Sequence, residues 1–169
     1  MITSPNSMSV QRGVGLIEMM VALFILAIGL LGILAMQAVG VKSTQRATFS
    51  TEAQIIAADI VDRILAHNDI DNPDDDADYA DRDTATAQNA NCDVVVGCAD
   101  QVEHDLFEWK QIVSRLPAGR GFVDYNGGTG IYTITVVWDN ELTGTTPSGE
   151  PAADCANEEL ACYQLEVKI

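Results

Sequence analysis

The sequence predicts an α+β fold in which a long N-terminal helix packs the second half of its length against a small antiparallel β-sheet. Three observations carry this expectation. The chain has no charge between Glu18 and Lys42 and no polar side chain from Met19 to Met36, and about 20 such residues span a bilayer as a helix. No proline falls between Pro5 and Pro73, while Ala57, Ile60, Val61, Ile64 and Leu65 recur at the i, i+3, i+4, i+7, i+8 spacing of one helix face. Near the C-terminus, two stretches alternate apolar and polar side chains as half-buried strands do.

Taken in order, residues 1–13 form a short polar leader ending in Arg12-Gly13. Residues 14–41 are the membrane and assembly half of the helix, apolar all round. Residues 42–68 continue the same helix as an amphipathic half, so that the whole would run near 80 Å at about 1.5 Å per residue. Gly29 and Gly32 lie in the apolar half and Gly40 near its end, where small residues let neighbouring helices approach or let the helix bend.

Residues 69–169 hold a small globular domain. Its first part, residues 69–83, is dense in aspartate and reads as a self-repelling solvated loop. Residues 84–91 continue the loop. A second helix starts near Asp100, where Asp100 and Glu103 form a capping box. Val102, Leu106, Trp109, Val113 and Leu116 line one face, and Pro117-Ala118-Gly119 stops it. Strands follow at 122–125 and 131–138, joined by the turn-forming Asn126-Gly127-Gly128-Thr129-Gly130. In the longer one Tyr132, Ile134, Val136 and Trp138 share a face, with Thr133 and Thr135 opposite. Residues 139–157 read as a long surface loop. A last strand at 162–169 turns Tyr163, Leu165, Val167 and Ile169 inward and Gln164, Glu166 and Lys168 outward.

The stretch Gly13-Val14-Gly15-Leu16-Ile17-Glu18 reverses the order of an ordinary secretory signal, whose apolar part is discarded at a small-residue cleavage site. Here a cut after Gly13 keeps the apolar segment and leaves a lone acid five residues into it. This combination resembles the signal of type IV prepilins and type II secretion pseudopilins. Gly13, Leu16, Ile17 and Glu18 match the family pattern; Val14 and Gly15 depart from its usual Phe and Thr or Ser. The continuation Leu26-Ala27-Ile28-Gly29-Leu30-Leu31-Gly32 with Gln37, and later Leu106-Phe107-Glu108-Trp109, look like the minor pilins of that family. The resemblance implies a pilin-like fold, cleavage after Gly13 by prepilin peptidase and N-methylation of Val14. It assigns Glu18 an ion pair with the first amine of a neighbouring subunit. The implied partners are other major and minor pilins and an inner-membrane assembly platform, with one membrane pass, the globular domain in the periplasm and the subunit carried into a pilus. A pseudopilin of a secretion machine is the alternative within the family.

The formal charge is −16, and loss of the leader with Arg12 makes it −17. Such an excess argues against nucleic acid or an anionic membrane surface as a direct ligand. Charges flanking the apolar run, Arg12 before it and Lys42 and Arg46 after it, do not orient it by themselves. Cys92, Cys98, Cys155 and Cys162 form two close pairs; four cysteines allow three connectivities, of which Cys92 with Cys98 and Cys155 with Cys162 closes the shortest loops. A zinc site using His67 or His104 is the rival, without a C-x-x-C spacing to support it. Asp74, Asp76 and Asp78 have the first spacings of a calcium loop, but Tyr79 stands at the bend and Ala85 at the closing acid. A surface-binding module built on this acidic segment or on residues 139–157 is therefore a second class of reading. No cofactor is expected. No phosphate loop or G-x-S-x-G motif occurs, Ser114 and Ser148 read as ordinary surface residues, and no catalytic constellation is expected.

Overall fold

A computed structural model describes residues 15–67, 78–87 and 101–168. The elements run α1 (Leu16–His67), β1 (Arg82–Asp83), α2 (Gln101–Val113), β2 (Arg120–Asn126), β3 (Ile131–Asp139), α3 (Pro151–Cys155) and β4 (Leu160–Lys168). The fold class is the expected one, α+β and pilin-like. The chain divides into two compact units, Met1–Ser43 and Thr44–Ile169.

The first unit holds the apolar part of α1. Leu16 to Val41 leave their large side chains exposed, Leu16 at 82% and Met36 at 79%. By length and composition this helix suits a membrane span, because a stripe that is apolar all round needs lipid or partner helices to cover it.

In the second unit the four strands form one antiparallel sheet in the order β1-β2-β3-β4. Strict alternation sets the two faces. Val123, Ile134 and Leu165 are neighbours across three strands, as are Tyr125, Tyr132 and Val167. The rings of Tyr125 and Tyr132 stand 4.5 Å apart. This face packs on Ala53, Ile56, Ala57, Ile60, Val61 and Ile64 of α1 and on Val102, Leu106, Trp109, Val113 and Leu116 from α2 and its exit. Trp109 is fully buried and donates its indole N–H to the Ile56 carbonyl at 2.9 Å. Its ring lies against Gly121, where a Cβ would overlap it. The hairpin turn closes with Gly130 N–H on the Asn126 carbonyl at 2.8 Å, and Gly130 takes φ +67°, a conformation that only glycine adopts without strain.

Several expectations need correction. The buried stripe of α1 starts at Ala53 and Ile56, and Leu65 is 48% exposed. At about 100° per residue Leu65 sits 40° beyond Val61, itself at the rim of the buried arc. The segment 69–83 is not all solvated loop: Tyr79 is buried at 1% exposure and Arg82–Asp83 pair with Val123 and Phe122. Strand β2 begins at Arg120 and β3 ends at Asp139, each longer than expected, and β4 begins at Leu160. Residues 139–157 contain α3 and two buried carboxylates, Asp139 and Asp154. They matter because the outer sheet face is apolar too: Phe122, Val137 and Leu160 form a second small core there. The capping box rests on Asp100, outside the described residues; Glu103 instead accepts from the Arg82 guanidinium at 3.1 Å.

Candidate functional site

The N-terminal segment carries the strongest sequence signal, and α1 organises it. Gly13 and Val14 lie outside the described residues. Helix α1 begins at Leu16, with the Glu18 N–H donating to the Gly15 carbonyl at 2.8 Å. Glu18 is the acidic residue of the first turn and is exposed. A carboxylate there complements the unpaired N–H groups at the helix start. Beyond it, Gly29, Gly32 and Gly40 have, apart from the helix's own neighbouring backbone, nothing among the described residues within 4 Å of where a Cβ would stand. Packing within the chain therefore does not demand glycine at these positions, and small residues there leave room for another helix.

Of the calcium candidates, Asp74 and Asp76 lie outside the described residues, whereas Asp78 bonds the His67 imidazole at 3.1 Å. Among the described residues no group of three or more His, Cys, Asp or Glu side chains converges on a point that could hold a metal ion. His104 faces Glu108 one turn along α2, at 3.4 Å. Cys155 and Cys162 are joined in a disulfide with Cα atoms 5.4 Å apart, which ties α3 to β4. Cys92 and Cys98 lie outside the described residues.

Charged groups that the sequence did not single out form a partly buried polar network in the domain. Asp105 on α2 accepts from Tyr79 Oη at 2.6 Å, Gln101 Nε2 at 3.0 Å and Arg63 Nη1 at 3.1 Å. Arg63 also donates to Glu108 at 2.8 Å and Asp59 at 3.0 Å. Burial works against the Arg63 charge, but the bonds to Glu108 and Asp59 outweigh it and raise its pKa; burial and the Asp105 carboxylate both push the Tyr79 hydroxyl up. Open clefts of about 250 and 300 Å³ flank Arg63. The Arg63, Asp105 and Glu108 charges along them are already matched within the chain, so the network stitches α1, α2 and the Tyr79 segment together. In sequence, the i, i+4 spacings of Asp59 with Arg63 and of Gln101 with Asp105 hint at it.

On the outer face Arg120 grips both oxygens of Asp83, lies 5.3 Å over the Phe122 ring and donates to the Pro147 carbonyl at 3.2 Å. Asp139 gathers the N–H groups of Glu141, Thr143 and Gly144, at 3.2, 3.2 and 2.7 Å. Asp154 gathers Ser148 N–H and Oγ at 2.7 Å each and Gly149 N–H at 3.2 Å. Ser148 thus has a structural partner. For all three aspartates burial favours the neutral acid, yet the Arg120 guanidinium at Asp83, the loop amides at Asp139 and Ser148 with its neighbours at Asp154 lower the pKa.

A folded-state pKa below the unfolded value near 3.9 means stability that is fully present above that value and is lost as pH falls through the folded one. Thermal melts should hold steady from pH 7 to about 5 and fall steeply below about pH 4. Asp124 works the other way, since burial and nearby Asp81 raise its pKa. The Asp139→Asn variant is expected to melt lower at pH 7 and to show a shallower acid loss; an unchanged acid profile contradicts the role of this carboxylate.

With this geometry in place, comparison with known proteins adds one finding. No curated protein and no solved structure matches the chain. A family model described as the prokaryotic N-terminal methylation motif matches residues 8–34, a segment that spans Gly13, Val14 and Glu18 and the first turns of α1. Over that segment the chain carries the type IV pilin-like methylation motif, the mark of chains processed by prepilin peptidase.

Proposed function

We propose that this chain is a minor pilin of the type IV pilus modification protein (PilV) kind, a structural and assembly-priming subunit with no enzymatic activity of its own. Prepilin peptidase cuts after Gly13 and methylates Val14. The subunit waits in the inner membrane on the apolar half of α1, with the Thr44–Ile169 unit in the periplasm. It then joins other major and minor pilins at the inner-membrane assembly platform, supporting pilus biogenesis and through it twitching motility or adhesion. The observation that carries this reading is the methylation motif at residues 8–34, continuous with a helix apolar enough to cross a bilayer. The disulfide between Cys155 and Cys162 supports an oxidising compartment. The same motif serves minor pseudopilins of type II secretion, which use the same processing and differ in the machine they join.

The test is intact mass and N-terminal sequencing of the membrane-extracted chain, expressed with and without prepilin peptidase. A chain beginning at N-methylated Val14 only when the peptidase is present is the expected result. Retention of Met1 in both cases, or cleavage beyond the apolar run, overturns the reading.

A further inference from the structure

Among the described residues the sheet has two edges, and they are unlike. At one, β1 is only 2 residues long. At the other, β4 runs 9 residues without a proline, and its register on β3 is unbroken from Asp139↔Leu160 to Ile131↔Lys168, so no bulge twists it away. Its outer row of N–H and C=O groups has no partner among the described residues. Such an edge is a template for another strand unless a bulge, a proline, an inward charge or a cover blunts it. The core is also unfinished here. Tyr132, Ile134, Val136 and Trp138 of β3 are at most 3% exposed, whereas their register partners Val167, Leu165, Tyr163 and Ala161 are only half-buried. Helix α1 supplies the second wall. Its Ile56 and Arg63 face α2, which packs on the β2 side where Trp109 meets Gly121. At about 100° per residue Val61 and Leu65 lie on the opposite flank of the helix, toward β4, and Leu65 is 48% exposed.

We propose that the β4 edge, with the half-covered row Tyr163, Leu165 and Val167 and the Leu65 flank of α1, docks one extended basic segment of another protein. That segment adds a strand to the sheet. Main-chain hydrogen bonds to β4 supply affinity, and alternate apolar side chains of the segment enter the groove. Lysine or arginine stands between them, for reasons of charge. Strand β4 balances Glu166 with Lys168, so it does not itself repel a partner strand. Around it the chain carries a net charge of −16, and Glu158 and Glu159 are exposed at the start of the strand. A basic segment is drawn to this field, while a second acidic copy of the chain meets like charge.

Amide hydrogen exchange of the detergent-extracted full-length chain tests this, with capped synthetic peptides that match β4 in length. One alternates valine and lysine, a second alternates valine and glutamate, and a third is the lysine peptide with a central proline, which breaks strand pairing. The alternate amides of β4 that point away from β3 are expected to exchange freely in the chain alone. With the lysine peptide at about ten times its dissociation constant they should slow about tenfold, because bound chains do not exchange there. The other two peptides should leave them unchanged. Val167→Lys, which puts an inward charge on the edge, should abolish the slowing while β3 stays protected; if that variant fails to fold, the proline comparison on the unaltered chain decides. No slowing at about 1 mM lysine peptide, the weak end of specific binding, overturns the proposal. So does an equal effect of the proline or glutamate peptide, or slowing confined to segments other than β4. Outer β4 amides already slow in the chain alone also overturn it, and sedimentation then tells a second copy from a segment of the same chain as the cover.

Discussion

Trp109→Ala should cost the domain about 3–5 kcal/mol, the range for deleting a buried aromatic side chain, and leave it largely unfolded at moderate temperature. Three contacts fail together. The ring fills the space between α1, α2 and β2, with 0% exposure. Its N–H satisfies the Ile56 carbonyl across the helix pair. Gly121 is shaped around it, since any side chain there would overlap the ring, so the cavity cannot be refilled from the strand without moving the backbone. Given that small domains hold only about 5–15 kcal/mol in total, the loss is a large share. Thermal and urea melts of the detergent-extracted chain would measure it. A loss under 1 kcal/mol would mean that α2 is not seated as described. Trp109→Phe, which keeps most of the volume and drops the hydrogen bond, is expected to retain most of the stability.

Glu18→Ala should leave that domain untouched and remove the subunit from pili. Glu18 stands at the first turn of α1, far in sequence from the core that begins at Ala53, so folding does not depend on it. A charge at the edge of an apolar helix is costly in lipid unless paired, and such pairing sets register more than it adds stability. Its expected partner is the first amine of a neighbouring processed subunit. The expected result is normal cleavage and melting, with pilus-associated protein reduced by about tenfold or more, the change that some 1.4 kcal/mol of lost pairing produces. Quantitative immunoblots of sheared pili from matched cells would read it. Wild-type association of the variant would remove Glu18 from the assembly role.

Much of the architecture was legible because its causes are local. An uncharged run from Met19 to Val41 makes one long apolar helix whatever it later touches. The period-2 pattern of residues 131–138 and the i, i+4, i+7 spacing of Val102, Leu106 and Trp109 report which side chains face inward. The processing signal was legible for a similar reason: cleavage and methylation act on a linear segment, and the methylation motif lies in residues 8–34.

What the sequence could not supply was the partner of each polar group. Asp83 sits in a run of aspartates that repel one another on paper, yet it is the counter-ion of Arg120, 37 residues away in the chain. Asp139 and Asp154 looked like loop acids; they became buried centres of hydrogen bonding only when residues 139–157 folded over Phe122 and Val137. The acids of that loop were in view, but the apolar outer face they help to cover was hidden by the polar alternation of β3, where Thr133 and Thr135 share a side with Val137. Composition and period thus determined by themselves the membrane-length helix and most of the inward faces of α2 and β3, while the linear motif carried the processing signal. Tertiary structure decided which carboxylates are structural, because a buried charge is settled by donors that the fold brings from distant parts of the chain.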